Sequence, residues 1–166
     1  MPATRADLEF LRGIVLFKDV TDADLEALWP FLTQRKLRKG EILLREGDVG
    51  REMFFLRAGE VIISKHVKGR VEQVLARMGP GDFFGEMGLF DRQPRSATIQ
   101  ADTDVVVLEL DGDNLEQLVA RSPRAASAFF YQMVRVFIQR LRDSTSLVAE
   151  VTRWGLEATG LDVEHT

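Results

Sequence analysis

One stretch of the chain gathers residue types that can hold an anion. It runs Phe83-Phe84-Gly85-Glu86-Met87-Gly88-Leu89-Phe90, then Asp91-Arg92-Gln93-Pro94-Arg95-Ser96-Ala97-Thr98, directly after the turn Gly79-Pro80-Gly81-Asp82. A short helix is predicted to open near Gly85. The first turn of a helix carries unpaired N–H groups and a partial positive charge, which suits a phosphate. Gly85 allows close approach of the backbone, and Arg95 offers a planar fork of donors for phosphate oxygens. Ser96 adds a hydroxyl donor. Glu86 can accept hydrogen bonds from a sugar hydroxyl, as acidic residues do in nucleotide sites. The plainer alternative is an ion pair between Glu86 and Arg95 that only braces a loop.

The flanking sequence sets the frame for this segment. From Gln34 to Asp111, short apolar or alternating runs are separated by glycine turns: Lys39-Gly40, Glu46-Gly47-Asp48, Ala58-Gly59, Lys68-Gly69 and Gly79-Pro80-Gly81. Ile42 to Leu44, Met53 to Leu56, Val61 to Ile63, Val71 to Leu75, Thr98 to Gln100 and Val105 to Leu110 read as strands. Close spacing with polar turns predicts an antiparallel sandwich or jelly roll, and no βαβ rhythm supports a dinucleotide fold. On the N-terminal side, Thr4 to Arg12 predicts a short helix. Thr21 is suited to cap a second one, with Asp22, Asp24 and Glu26 in its first turn and Pro30 breaking it. After Pro123 the helical period returns. Phe129, Phe130, Met133, Val134, Phe137, Leu141, Leu147, Val148 and Val151 form an apolar stripe, and a polar, frayed tail is expected from Gly155.

Composition removes several classes of function. The formal net charge is -4, which argues against nucleic acid as the main partner. No cysteine is present, so disulfides, thiolate nucleophiles and Cys-ligated metals are excluded. His66 and His165 are the only histidines; neither a metal site nor a Ser-His-Asp triad is expected from them, and no catalytic residue is assigned. No apolar run approaches a membrane span and no signal-peptide core is visible, so the expected compartment is the cytoplasm.

The segment from Phe84 to Thr98 resembles the phosphate-binding cassette of the cyclic-nucleotide-binding domain family. That family includes the bacterial catabolite regulator, the regulatory subunits of protein kinase A and gated ion channels. The similarity extends from about Leu16 to about Arg142. It takes in Lys39-Gly40, Glu46-Gly47-Asp48, Gly59-Glu60, Gly79-Pro80-Gly81-Asp82, Gly85-Glu86 and Pro94-Arg95-Ser96-Ala97-Thr98. It implies a mainly β fold with flanking α: an eight-stranded antiparallel jelly roll, N-terminal helices and a long C-terminal helix. The expected division is a helical segment over 1–33, the jelly roll over 34–113 with its cassette at 83–98, C-terminal helices over 114–153 and a tail over 154–166.

The resemblance also implies roles. Arg95 would pair with the exocyclic oxygens of a cyclic phosphate and Glu86 would accept from the ribose 2′-hydroxyl. Backbone N–H groups of Gly85, Glu86 and Ala97 would complete the cradle, with Ser96 on the phosphate and Phe84 and Met87 beside it. Ile63 and Leu75 fall where the family lines its base pocket, and Arg140 and Leu141 are the candidates for a lid from the last helix. The implied ligand is cAMP or cGMP, and Ser96 after the arginine leans toward cAMP. No other cofactor is expected.

The expected output is a changed surface on the last helix, read by an unidentified protein partner or by a second copy, because the stripe runs on through Leu147, Val148 and Val151. Two rivals stand beside a stand-alone receptor. One is the sensor part of a DNA-binding regulator whose helix-turn-helix is missing; the residues after Glu150 contain nothing like a recognition helix. The other is a scaffold that keeps the fold without the ligand.

Overall fold

The computed structural model describes residues 2–67 and 71–159. Two compact units make up the chain, Met1–Phe129 and Phe130–Thr166. In the first, helices α1 (Arg5–Gly13) and α2 (Asp22–Leu28) precede eight strands: β1 (Thr33–Leu37), β2 (Ile42–Leu44), β3 (Glu52–Ala58), β4 (Val61–Val67), β5 (Val71–Met78), β6 (Phe83–Phe84), β7 (Thr98–Ala101) and β8 (Val105–Asp111). Helix α3 (Glu86–Asp91) lies between β6 and β7, and α4 (Gly112–Arg121) and α5 (Pro123–Thr159) close the series. The strands form two four-stranded antiparallel sheets, ordered β1-β8-β3-β6 and β2-β7-β4-β5.

The helix ends follow from local chemistry. Thr4 and Asp7 form a reciprocal capping box at the start of α1, with Asp7 Oδ2 2.9 Å from Thr4 N. Burial alone would push the Asp7 carboxyl up; the bonds from Thr4 and the Arg57 guanidinium outweigh it and hold the group below the ordinary aspartate value. Thr21 caps α2 as its residue type predicts, accepting from Asp24 N at 3.3 Å. Pro30 ends α2 by turning Trp29–Phe31 into a 3-10 turn, because it has no N–H to extend the ladder.

The first sheet is buried on both faces along β3, and the sequence of that strand shows why. Phe54 and Leu56 point between the sheets, packing with Leu37, Val61, Phe84, Ile99, Ala101, Val105 and Val107. Their neighbours Met53 and Phe55 are equally buried on the opposite face, where Phe55 meets Phe17 with ring centroids 5.2 Å apart and Phe17 meets Phe129 at 6.3 Å. A continuous apolar run such as Met53–Leu56 is what a doubly covered strand requires.

Two strands escape the pattern read from the sequence. β1 is an edge strand with only Leu37 buried. Its charged residues protect the open edge, and Arg35 bonds Glu109 at 2.8 Å while lying over the Phe54 ring. β6 is two residues long, pairing Phe83 and Phe84 with Phe55 and Phe54. β5 continues to Met78, beyond the expected end at Leu75. Gly40, Gly47, Gly59 and Gly81 take positive φ, whereas Gly79 does not; the Lys68-Gly69 turn lies outside the described residues.

The expectation of a frayed tail from Gly155 is corrected. α5 runs unbroken to Thr159, since one interior glycine costs only about 1 kcal/mol and no proline follows; residues 160–166 lie outside the described part. Within the apolar stripe, Phe129 and Met133 are buried, while Val134, Leu141, Leu147, Val148 and Val151 are exposed. No described helix is long and apolar enough to cross a membrane.

Candidate functional site

Arg95 is fixed through its backbone before its side chain does anything. Its N–H donates to the Asp48 carbonyl at 2.7 Å and its own carbonyl accepts from Gly47 N at 2.9 Å. Val49 bridges Pro94, and Thr98 Oγ1 accepts from Glu46 N at 3.1 Å. The Glu46–Gly50 loop and the Pro94–Thr98 segment are thus joined side by side, so two motifs far apart in sequence build one site.

The Arg95 side chain then runs beneath α3. Nη1 donates to the Gly85 carbonyl at 2.9 Å and Nη2 to Glu52 Oε2 at 2.7 Å. Only 5 % of the side chain is exposed, against 35 % for Glu52. Gly85 sits in the left-handed region at φ 78° as the N-cap of α3, a conformation that glycine takes without the penalty a Cβ brings. A Cβ there would lie 2.9 Å from the Glu52 carbonyl. Gly88 leaves the guanidinium its place: a Cβ on it would overlap Arg95 Nη1 and the Gly50 carbonyl. Beside the guanidinium opens a cavity of about 290 Å³ with Arg35, Leu44, Gly50, Glu52, Phe54 and Arg95 in its wall, close to the lower end of small-molecule pockets.

The remaining residues singled out in the sequence are spread more widely. Glu86 is buried in the first turn of α3. Ser96 is exposed beside Arg95 and Ala97 is half-buried. Met87 is 59 % exposed. The Phe84 side chain belongs to the core, stacked on Phe54 at 5.7 Å, so only its backbone can adjoin a ligand. Ile63 is half-buried against the same core. Leu75 has no partner in the β4–β5 register, which steps from Ile63↔Ala76 to Ser64↔Val74. This bulge leaves Leu75 52 % exposed. Arg140 and Leu141 lie on an exposed stretch of α5 in the second unit.

Glu52 is the site residue that the sequence reading missed. Its signal is an acid placed immediately before the apolar run Met53–Leu56, where β3 opens. Its neighbour Arg51 faces the other way, bonding Glu116 Oε1 at 2.8 Å and approaching Asp113 on α4. The hydrogen bond to Glu116 raises Arg51 above its ordinary pKa, and the same bond holds the Glu116 carboxyl below its own. Among the described residues, no His, Cys, Asp and Glu side chains cluster as a metal-ligand set.

A β sandwich that presents one deeply buried arginine at a cavity wall has the means to hold an anion, and the class it belongs to is a ligand-binding regulatory domain. The sequence pattern of the cyclic nucleotide-binding domain matches residues 34–122, and the chain belongs to that family. It is 29 % identical over 143 residues to a CRP-like cAMP-activated global transcriptional regulator of Mycobacterium tuberculosis, covering 86 % of this chain and 62 % of that protein. It is 34 % identical over 121 residues to a cyclic nucleotide-gated potassium channel of Mesorhizobium japonicum, covering 73 % of this chain and 32 % of the channel. The chain therefore spans less than two thirds of either relative. A crystal structure of a cyclic nucleotide-binding domain from Methylobacillus flagellatus superposes with a TM-score of 0.74 at 28 % identity, over 86 % of this chain and 80 % of that one.

Proposed function

We propose that this chain is a receptor for a cyclic purine nucleotide. Arg95 takes the charged oxygens of the cyclic phosphate and Glu86 takes the ribose 2′-hydroxyl. The N–H groups of Gly85, Glu86 and Ala97 complete the cradle, and Ser96 donates from its edge. Ile63 and Leu75 serve the base. One observation carries this best: a guanidinium almost wholly shielded from water, pinned by its backbone beside the Gly85 turn, with N–H donors left over for an anion. An arginine has five such donors, and two are bound here. Ser96, rather than threonine, after the arginine inclines the choice to cAMP over cGMP. The absence of cysteine suits the cytoplasm as its compartment.

The test is titration of the chain with cAMP and with cGMP by calorimetry and thermal melting. Binding of at least one is expected, with stabilisation of about 2.7 kcal/mol at a hundredfold excess over Kd. No heat and no melting shift at millimolar concentrations of either nucleotide would end the proposal.

Ligand arrival is relayed to the last helix through packed rings. Phe83, two residues before Gly85, pairs in register with Phe55; Phe55 touches Phe17, and Phe17 touches Phe129 in the first turns of α5. A ligand moves this series only by preferring one arrangement of it. The reader of the output is a second copy of the chain. Tyr131, Val134, Ile138, Leu141 and Val148, all exposed, fall at the alternating three- and four-residue spacing of a two-stranded helical seam. Sedimentation equilibrium should give a dimer that Leu141→Asp with Val148→Asp converts to a monomer. A wild-type monomer at tens of micromolar, with or without nucleotide, would remove the pairing.

A further inference from the structure

We propose that Glu52 is an internal counter-anion that competes with the ligand's phosphate for Arg95 and thereby lowers the affinity of the site. The proposal rests on Arg95 being the phosphate contact. Its starting point is the 2.7 Å ion pair between Arg95 Nη2 and Glu52 Oε2 at the wall of the cavity. A guanidinium this deeply buried is costly to leave without a counter-charge. Glu52 supplies that charge while the site is empty, and the Gly85 carbonyl satisfies a further donor.

An incoming phosphate then meets a guanidinium already matched by a carboxylate. It must either displace Glu52 or bind beside it against like-charge repulsion, and both oppose binding. The geometry says which partner gives way. Arg95 is tied through its backbone to Gly47 and Asp48 and is enclosed by Gly85, Gly88 and Gly50. Glu52 is anchored only at its backbone, where β3 pairs with β8, and a third of its side chain already reaches water. Swinging that carboxylate outward returns it to water, whereas the guanidinium is hemmed in by Gly50, Gly85 and Gly88 and has no such exit. Glu52 is therefore the movable partner.

The charge is separated from the shape by Glu52→Gln, which keeps an amide oxygen for Arg95 Nη2 and removes the negative charge. Calorimetry at fixed ionic strength, with cAMP and cGMP on the full chain, should show the better nucleotide binding roughly tenfold tighter, the order expected for deleting one partly solvated like charge. The nucleotide-free variant should melt below the wild type, while its gain in melting temperature on saturation should exceed that of the wild type. A residue with only a structural role would lower both. Glu52→Asp, which keeps the charge and withdraws it by one methylene, should bind between wild type and Glu52→Gln and serves if the glutamine variant does not fold. Equal or weaker binding in whichever variant folds overturns the role of Glu52. Arg95→Ala is the control: if it loses binding and Glu52→Gln gains none, only the counter-anion fails. If Arg95→Ala binds as wild type does, or the wild type binds neither nucleotide, the receptor assignment itself fails.

Discussion

Replacing Arg95 with alanine is expected to weaken cyclic nucleotide binding by about 2–4 kcal/mol, the order measured for losing one partner of a desolvated charge pair. This corresponds to roughly 30- to 1,000-fold in Kd. The variant should still fold. Removing the guanidinium leaves Glu52 without its partner, but that carboxylate is 35 % exposed and can rehydrate in place. The backbone bonds from Arg95 to Asp48 and Gly47 need no side chain. Arg95→Lys should fall between the two, because it keeps a charge and loses the planar fork that serves Gly85, Glu52 and the phosphate at once. Calorimetry on the folded alanine variant decides the matter: unchanged affinity would take the phosphate away from Arg95.

The second large effect is expected at Phe17, far in sequence from the cassette. Its ring is fully buried between Phe55 of the first sheet and Phe129 of α5. Phe17→Ala should destabilise the chain by about 3–5 kcal/mol, combining lost burial with the cavity left behind. For a chain of this size that is on the order of 10 °C in Tm. A loss of less than about 1 kcal/mol in chemical denaturation would show that the neighbouring helices collapse into the gap and that the ring does not hold α5 to the sheet. Phe17 takes no part in the phosphate cradle, so the folded remainder should still bind nucleotide.

How far the sequence announces these arrangements depends on what each residue answers to. Thr21, Pro30 and Gly85 act through local backbone chemistry, and their effects are readable from residue type and position alone. The apolar run Met53–Leu56 is equally legible, because burial on two faces demands it. β1 is not, since Thr33–Lys36 take an extended form only by pairing with β8, a partner some seventy residues away. The same non-locality hides the partner of Glu52: its place before an apolar run is visible, but nothing adjacent in sequence signals that it will meet Arg95, forty-three residues on. Leu75 shows the limit of alternation as a guide, because the bulge at Ile63 and Ser64 shifts the register and turns it out to solvent. The length of α5 beyond Gly155 is hidden for a different reason: a single glycine weakens a helix without being sufficient to stop it.

The double covering of the first sheet has a consequence for timescale. Amide protons in Met53–Leu56 and at Val107 and Leu108 lie on fully buried residues at the centre of the sheet and are expected to exchange with solvent only on large-scale opening of the unit. Motion fast enough to serve a signal must therefore be sought away from that slab, in the joined segments Glu46–Gly50 and Pro94–Thr98, leaving the interior a quiet reference against which their breathing can be timed.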